Sequence, residues 1–345
     1  MKRLILGLVS IVVILVVGRL SWVLVTGTGM LETYEPKLAD QCRSLVVAPG
    51  TEDITADGLT GQVFVSADNR RSPKNQPSNG IYMFQIDSPE RIRRVSMDAP
   101  IDFHPHGISL WRGNSGERRL FAVSHRSTGA EVIEVFDVFS DGQLSHVESI
   151  TDDLITSPND LVAVGPRQFY VTNDHGYSGF KRTLEEFLAL PVSNVVWFDG
   201  NKGEVVINDL AYANGINMSP DGERLYVAEI TRRRIGEYKR LSANRFQIMQ
   251  YYPQRMAADN LEVDEGGEIW TAGHPDVLAF LYHSKNAANV SASMASRINP
   301  ISGVTTDVFY NDGTLYSGAS VASHIKDTLL IGAVFADNIL LCPAK

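Results

Sequence analysis

Two histidines and seven oxygen-bearing side chains are the residues of this 345-residue sequence whose types and placing could do chemistry. His106 opens the apolar run HGISLW and His125 closes the run LFAVSH, with the turn-forming stretch RGNSGERR between them. In an antiparallel hairpin the start of one strand lies beside the end of the next, which predicts adjacent imidazoles. Two such rings can divide labour: one accepts a proton from water, the other fixes its tautomer and takes up charge. Glu52, Asp53, Asn159, Asp160, Asn214, Asp259 and Asn260 stand at the openings of comparable apolar runs. Their carboxylate and amide oxygens suit a hard cation that takes six to eight oxygen ligands, calcium first among them. Beside the histidines, such a cation would polarise a carbonyl or phosphoryl oxygen, which makes the constellation that of a hydrolase. His274, at the strand end TAGHP, and Tyr212 are candidate pocket residues. The plainer alternative is that Asn and Asp cap turns and that each His is a structural hydrogen-bonding group.

Other chemistries are excluded by motif. No Gly-x-Ser-x-Gly elbow occurs, Gly318-Ala-Ser320-Val-Ala322 being a loose variant in the wrong context,. There is no His-Glu-x-x-His spacing, and two cysteines cannot make a Cys-rich zinc site,.

A repeated element must bring these residues together. Ser157–Asp174 reads as a hairpin, with two runs rich in Val, Phe and Tyr around a Gly-Pro turn and a polar pair at each open end,. Similar units open at Glu52, His106, Asn159, Asn214, Asn260 and Ala319, a period of roughly fifty residues that fits propeller blades of four strands each. The expected fold is all-β, a six-bladed propeller, with an N-terminal hydrophobic helix and short helices over the channel mouth. Equivalent positions of each blade then lie at one height around a single axis. A β-sandwich with coincidental spacing is the alternative.

Hydrophobic content of 44% and charged content of 21% fit a globular chain with a large core, and a net charge of −9 argues against a nucleic-acid partner,. Residues 1–27 read as a signal-anchor or transmembrane helix: Lys2 and Arg3 precede an apolar run from Leu4 to Val25 interrupted by Arg19, whose side chain could reach the headgroups,. Residues 28–41 are then a linker and 42–345 the propeller. The body is expected on the extracytoplasmic side, or secreted if the segment is cleaved. Cys42 and Cys342 bracket the repeats, which in an exported chain invites a disulfide between first and last blades,; two unrelated buried thiols are the alternative. Residues 66–79 read as an exposed loop. Phe180, Leu184, Phe187 and Leu188 lie at helical spacing within 176–190,.

FHPHGIS (103–109), SPNDLVAVGPRQFYVTNDH (157–175), ANGINMSPDGERLYVAE (213–229), DNLEVD (259–264), GHP (273–275) and LLIGAVF (329–335) resemble the serum paraoxonase/arylesterase family. The resemblance implies a six-bladed propeller with two calcium ions in its tunnel, one catalytic and one structural, and a disulfide between Cys42 and Cys342. It implies a catalytic ion held by Glu52, Asn159, Asn214, Asp259 and Asn260, and a structural ion held by Asp53, Asp160 and the Ile108 carbonyl. It further implies a dyad of His106, as base, and His125; in an alternative assignment the base is a calcium-bound carboxylate, Glu52 or Asp259. The implied substrates are small lactones and aryl esters, with phosphotriesters as a side reaction. Two other readings stay open: a non-catalytic, calcium-stabilised propeller that binds a partner at its rim, and a strictosidine synthase-like propeller. Oxygen donors at five openings argue against the latter, whose members need no calcium.

Overall fold

Short apolar runs separated by turn signals pair into antiparallel sheets. The computed structural model describes residues 2–72 and 76–344, with the side chains of 2–6, 9 and 12 outside that description. Among the described residues twenty-four strands form six four-stranded sheets. The innermost strands are Thr51–Asp57, Pro105–Arg112, Pro158–Ala163, Ala213–Met218, Ala257–Val263 and Ala319–Ile325, so each expected blade opening lies on an inner strand. Apolar faces of neighbouring blades pack together, as where Phe121 of blade two meets Phe169 and Phe198 of blade three.

One irregularity repeats in all six blades. The pairing of the inner strand with its neighbour slips between Thr51 and Asp53, Pro105 and Ile108, Pro158 and Leu161, Ala213 and Ile216, Ala258 and Leu261, and Ala319 and Val321. A bulge bends its strand and re-aims the unpaired residues. The residues so released are Glu52, His106, Asn159, Asp160, Asn214, Asp259 and Asn260, together with small residues that let blades approach. A Cβ on Gly107 would meet Asp160 Oδ1 at 2.5 Å, and one on Gly215 would meet the Asp259 carbonyl oxygen at 2.3 Å.

The ring is closed by Arg43–Val46, which pairs with Asn338–Pro343 as the outer strand of blade six. The Cys42–Cys342 disulfide lies beside that pairing and spans 300 residues. In the chain-entropy model such a loop closure stabilises by roughly 5–6 kcal/mol at most. A Cys42→Ser/Cys342→Ser variant should therefore unfold at a clearly lower denaturant midpoint, while a midpoint equal to the wild type's would contradict this closure role.

Among the described residues three α-helices flank the propeller, and the first departs from expectation. Helix α1 (Lys2–Trp22) was expected to cross a membrane, but among the described residues no helix is long and apolar enough to do so. The flanking Lys2 and Arg3 side chains lie outside the described residues. Arg19, expected at the headgroups, instead donates to the carbonyls of Leu188 (2.8 Å) and Ala189 (3.0 Å), capping the C-terminus of helix α2 (Gly179–Leu188),. The apolar residues of α2 face outward, with Phe180 76% exposed, while Glu185 is buried and accepts from the amides of Gly176 and Tyr177. Helix α3 (Val277–Lys285) starts at an Asp276 cap that accepts from the Ala279 amide. Residues 28–41 are bound rather than free: the Thr28 carbonyl accepts from Val277, Tyr34 donates to the Arg255 carbonyl, and Lys37 bridges to Tyr310. Within the expected loop 66–79, Asp68 and Asn79 are buried, and residues 73–75 lie outside the description.

Candidate active site

His106 and His125 meet as the hairpin geometry requires. His106 Nδ1 and His125 Nε2 are 2.7 Å apart, and His125 Nδ1 lies 2.5 Å from Glu131 Oε2. Glu131 pairs directly across from His125 on the adjoining strand. The chain of contacts fixes the tautomers. The Glu131 carboxylate accepts from His125 Nδ1–H, so in the neutral rings His125 Nε2 accepts from His106 Nδ1–H, and the lone pair of His106 is left on Nε2,. That nitrogen faces Glu52 Oε1 at 3.3 Å.

Glu52 is the hub. Asn260 donates to its Oε1 (2.7 Å) and to its main-chain carbonyl (3.2 Å), while Ser320 donates to the same carbonyl (2.6 Å). Burial pushes Glu52 toward the neutral acid, but Arg70, Asn260 and the protonated form of His106, with its Nε2–H toward Glu52, outweigh it and lower its pKa to about 2; the neutral ring, with its lone pair on Nε2, is the form that can act as a base. Asp53 accepts from the amides of Ile54 (2.9 Å) and Ile108 (2.7 Å), and Asp160 from those of Leu161 (2.7 Å) and Ile216 (2.9 Å), each joining its blade to the next. Burial and neighbouring carboxylates push both acids well above their ordinary range. Asp259 is raised as well, by burial, although His274 Nε2 sits 3.3 Å from its Oδ2.

Among the described residues five buried side-chain oxygens have no hydrogen-bond partner; Gln254 Oε1 lies apart, and the other four, Glu52 Oε2, Asn159 Oδ1, Asn214 Oδ1 and Asn260 Oδ1, sit on the bulges of blades one, three, four and five. Leaving a buried acceptor unsatisfied costs about 1–3 kcal/mol, and buried polar groups are otherwise nearly all paired. Orphaned oxygens on four bulges, with Asp53, Asp160 and Asp259 short of positive charge, fit a hard cation with oxygen ligands. Among the described residues no group of three or more His, Cys, Asp or Glu side chains is placed to hold a metal; three of the four orphans here are amides. Ile108 faces Asp53 through its amide, which donates to Asp53 Oδ2 at 2.7 Å.

The candidate pocket residues separate. His274 is buried and its ring stacks on Phe280 of α3, with centroids 3.5 Å apart. Phe335 extends this wall. Tyr212, in left-handed conformation (φ 57°), lies edge-on to His175 at 4.6 Å. His175 bridges Asp174 (2.6 Å) and Glu186 of α2 (2.9 Å), and Asp174 in turn is in reach of Asn159 (3.5 Å). Burial opposes protonation of His175, but the two carboxylates prevail and raise its pKa to about 9. A raised folded-state value means stability present in full below the unfolded pKa of about 6.5 and lost as pH rises through 9. The upper bound is roughly 3 kcal/mol. His175→Asn should therefore be markedly less stable than wild type at pH 6 and nearly equal to it at pH 10 by thermal melting; an equal deficit at both would refute the ion pair.

Sequence reasoning missed Glu131, which the strand register from His125 would have supplied. It also missed His104, held between Asp68 (3.0 Å) and Asp102 (3.2 Å), and Arg70, 3.7 Å from Glu52 Oε2; neither has a periodic signal. A cavity of about 650 Å³ opens at the opposite ends of the inner strands, between Asp57, Arg112, Asn217 and Glu262, away from the histidines.

The arylesterase family model matches residues 43–343. Human serum paraoxonase/arylesterase 2 is 33% identical over 74% of this chain and 74% of its own length. The chicken (Gallus gallus) serum paraoxonase/arylesterase 2 is 33% identical over 83% and 78%. A gluconolactonase from Xanthomonas campestris superposes with a TM-score of 0.56 at 15% identity, covering 90% of this chain and 92% of that one, a likeness of fold.

Proposed function

The chain belongs to the arylesterase family and is an ester and lactone hydrolase, and on that premise we propose a calcium-dependent reaction at the six bulges. Glu52, Asn159, Asn214, Asp259 and Asn260 would hold a catalytic ion; Asp53, Asp160 and the Ile108 carbonyl would hold a structural one. Bound there, calcium would act as a Lewis acid toward the substrate carbonyl. The observation that carries this reading is the set of four orphaned oxygens drawn from four blades.

The chain's own residues handle the proton. His106 Nε2 carries the free lone pair and accepts a proton from water; the positive charge is then shared through Nδ1 with His125 and Glu131,. The Phe280 and Phe335 rings beside His274 offer an apolar wall to an aryl or alkyl group. Assigning the base role to Glu52 or Asp259 is the second reading; of the two, Asp259 has its pKa raised by burial and is the stronger base, while Glu52 is held low,. The Cys42–Cys342 disulfide supports a folded body outside the reducing cytoplasm,.

Purified protein is expected to hydrolyse phenyl acetate and δ-valerolactone with calcium present and to lose both activities in EDTA. Turnover of neither substrate with calcium present would support the partner-binding propeller instead, and undiminished turnover after confirmed metal removal would end the calcium reading.

A further inference from the structure

The loop after strand Gln62–Ala67 carries two consecutive arginines whose fixation no part of the hydrolytic reading explains. Arg71 is anchored: it donates to the carbonyls of His283 (3.0 Å) and Ser284 (3.2 Å) at the end of α3, and its guanidinium lies 4.2 Å above the Phe335 ring. At the other end of the loop, the Asp68 amide donates to the Gly50 carbonyl (3.2 Å). Gly50 is in the left-handed region (φ 80°), and a Cβ there would meet the Asp68 carbonyl oxygen at 1.8 Å. Held at both points, the loop aims Arg70 at the site.

Arg70 is under-used where it ends. Its guanidinium makes two long hydrogen bonds, to the carbonyls of Gly50 (3.4 Å) and Pro105 (3.3 Å), and among the described residues its only carboxylate in ion-pair range is Glu52, at 3.7 Å. The loop's own acid cannot neutralise it, because Asp68 is taken by His104 (3.0 Å) and Asn79 (2.5 Å). Nearby Asp102 is likewise taken, by Ser127 (2.7 Å). The side chain keeps 17% of its surface open. With Glu52 committed to a cation, Arg70 has spare N–H donors and its positive charge beside Glu52, which His106 also faces, one residue along the loop from Arg71 on the Phe335 ring.

A planar guanidinium with free donors recognises a carboxylate through paired hydrogen bonds. From this geometry we infer that Arg70 is a specificity residue that selects esters and lactones bearing a free carboxylate, an inference that rests on the hydrolase reading above. The Phe280–Phe335 wall receives the carbon skeleton, and Arg70 takes the acid group.

The test uses the full, calcium-loaded chain and a matched pair, 4-acetoxybenzoate and its neutral methyl ester. Arg70→Gln should lower the ratio of kcat/KM for the anion over that for the neutral ester about tenfold or more, the worth of a charged hydrogen-bonding partner. Arg70→Lys should restore part of it, keeping the charge without the fork. An unchanged ratio in Arg70→Gln, with equal losses on both esters, would overturn the inference and leave Arg70 as a support for Glu52. Direct binding separates this from failure of the hydrolase reading: by calorimetry, benzoate should bind wild type at least about tenfold more tightly than Arg70→Gln, turnover or none. Equal benzoate affinity in a variant that melts like wild type would overturn it as well.

Discussion

Glu52→Gln should lower kcat/KM for phenyl acetate about a thousandfold and weaken calcium binding in the same protein. The substitution keeps the shape and the Asn260 contact within reach but removes the carboxylate on the blade-one bulge, whose pKa protonated His106, Arg70 and Asn260 hold down. It also leaves Arg70 and His106 without their shared anion. Loss of a ligand charge and loss of its electrostatic partner act on the same reacting carbonyl, hence the size of the effect. Atomic absorption of the dialysed variant, beside its kinetics, is the check. A variant with normal metal content and normal kcat/KM would remove Glu52 from the site.

His106→Gln should cost about 10²–10⁴ in kcat, the usual worth of a general base. His125→Gln should cost less, about tenfold to a hundredfold, because it acts through His106 by fixing a tautomer. Glu131→Gln should fall with His125→Gln rather than below it. The three contacts at 2.7, 2.5 and 3.3 Å form one line from Glu131 to Glu52, so double variants along it should be far from additive,. Stopped assays across pH 5–9 give the readout. His106→Gln with wild-type kcat would transfer the base role to Glu52 or Asp259.

The blade count and the inner-strand positions were legible because a roughly fifty-residue period is a property of the chain itself. Asn159, Asp160 and Asn214 could be placed at strand openings for the same reason. Their gathering around one axis was expected from the repeat, but the local device that aims the side chains was not legible. It depends on a bulge in every inner strand and on Gly107 and Gly215 admitting a neighbouring blade, and a slip in register leaves no mark on hydrophobic alternation. The Cys42–Cys342 closure was readable from the placement of the two cysteines together with the expected export,. Helix α2 was legible in extent but not in orientation: the helical spacing of Phe180, Leu184 and Phe187 marks an apolar face, but Glu185 and Glu186, anchored to Gly176, Tyr177 and His175, decide which face turns inward. Arg19 shows the same limit, since a cation in an apolar run reads as a headgroup contact until a helix C-terminus is found beside it.

Calcium titration of metal-stripped protein tests the central claim most directly. Wild type should show saturable binding to two sites by calorimetry, and a variant carrying Asn159→Ala and Asn214→Ala should keep one and lose the other together with all hydrolysis. Absence of saturable calcium binding by folded wild-type protein that still hydrolyses phenyl acetate would contradict the account.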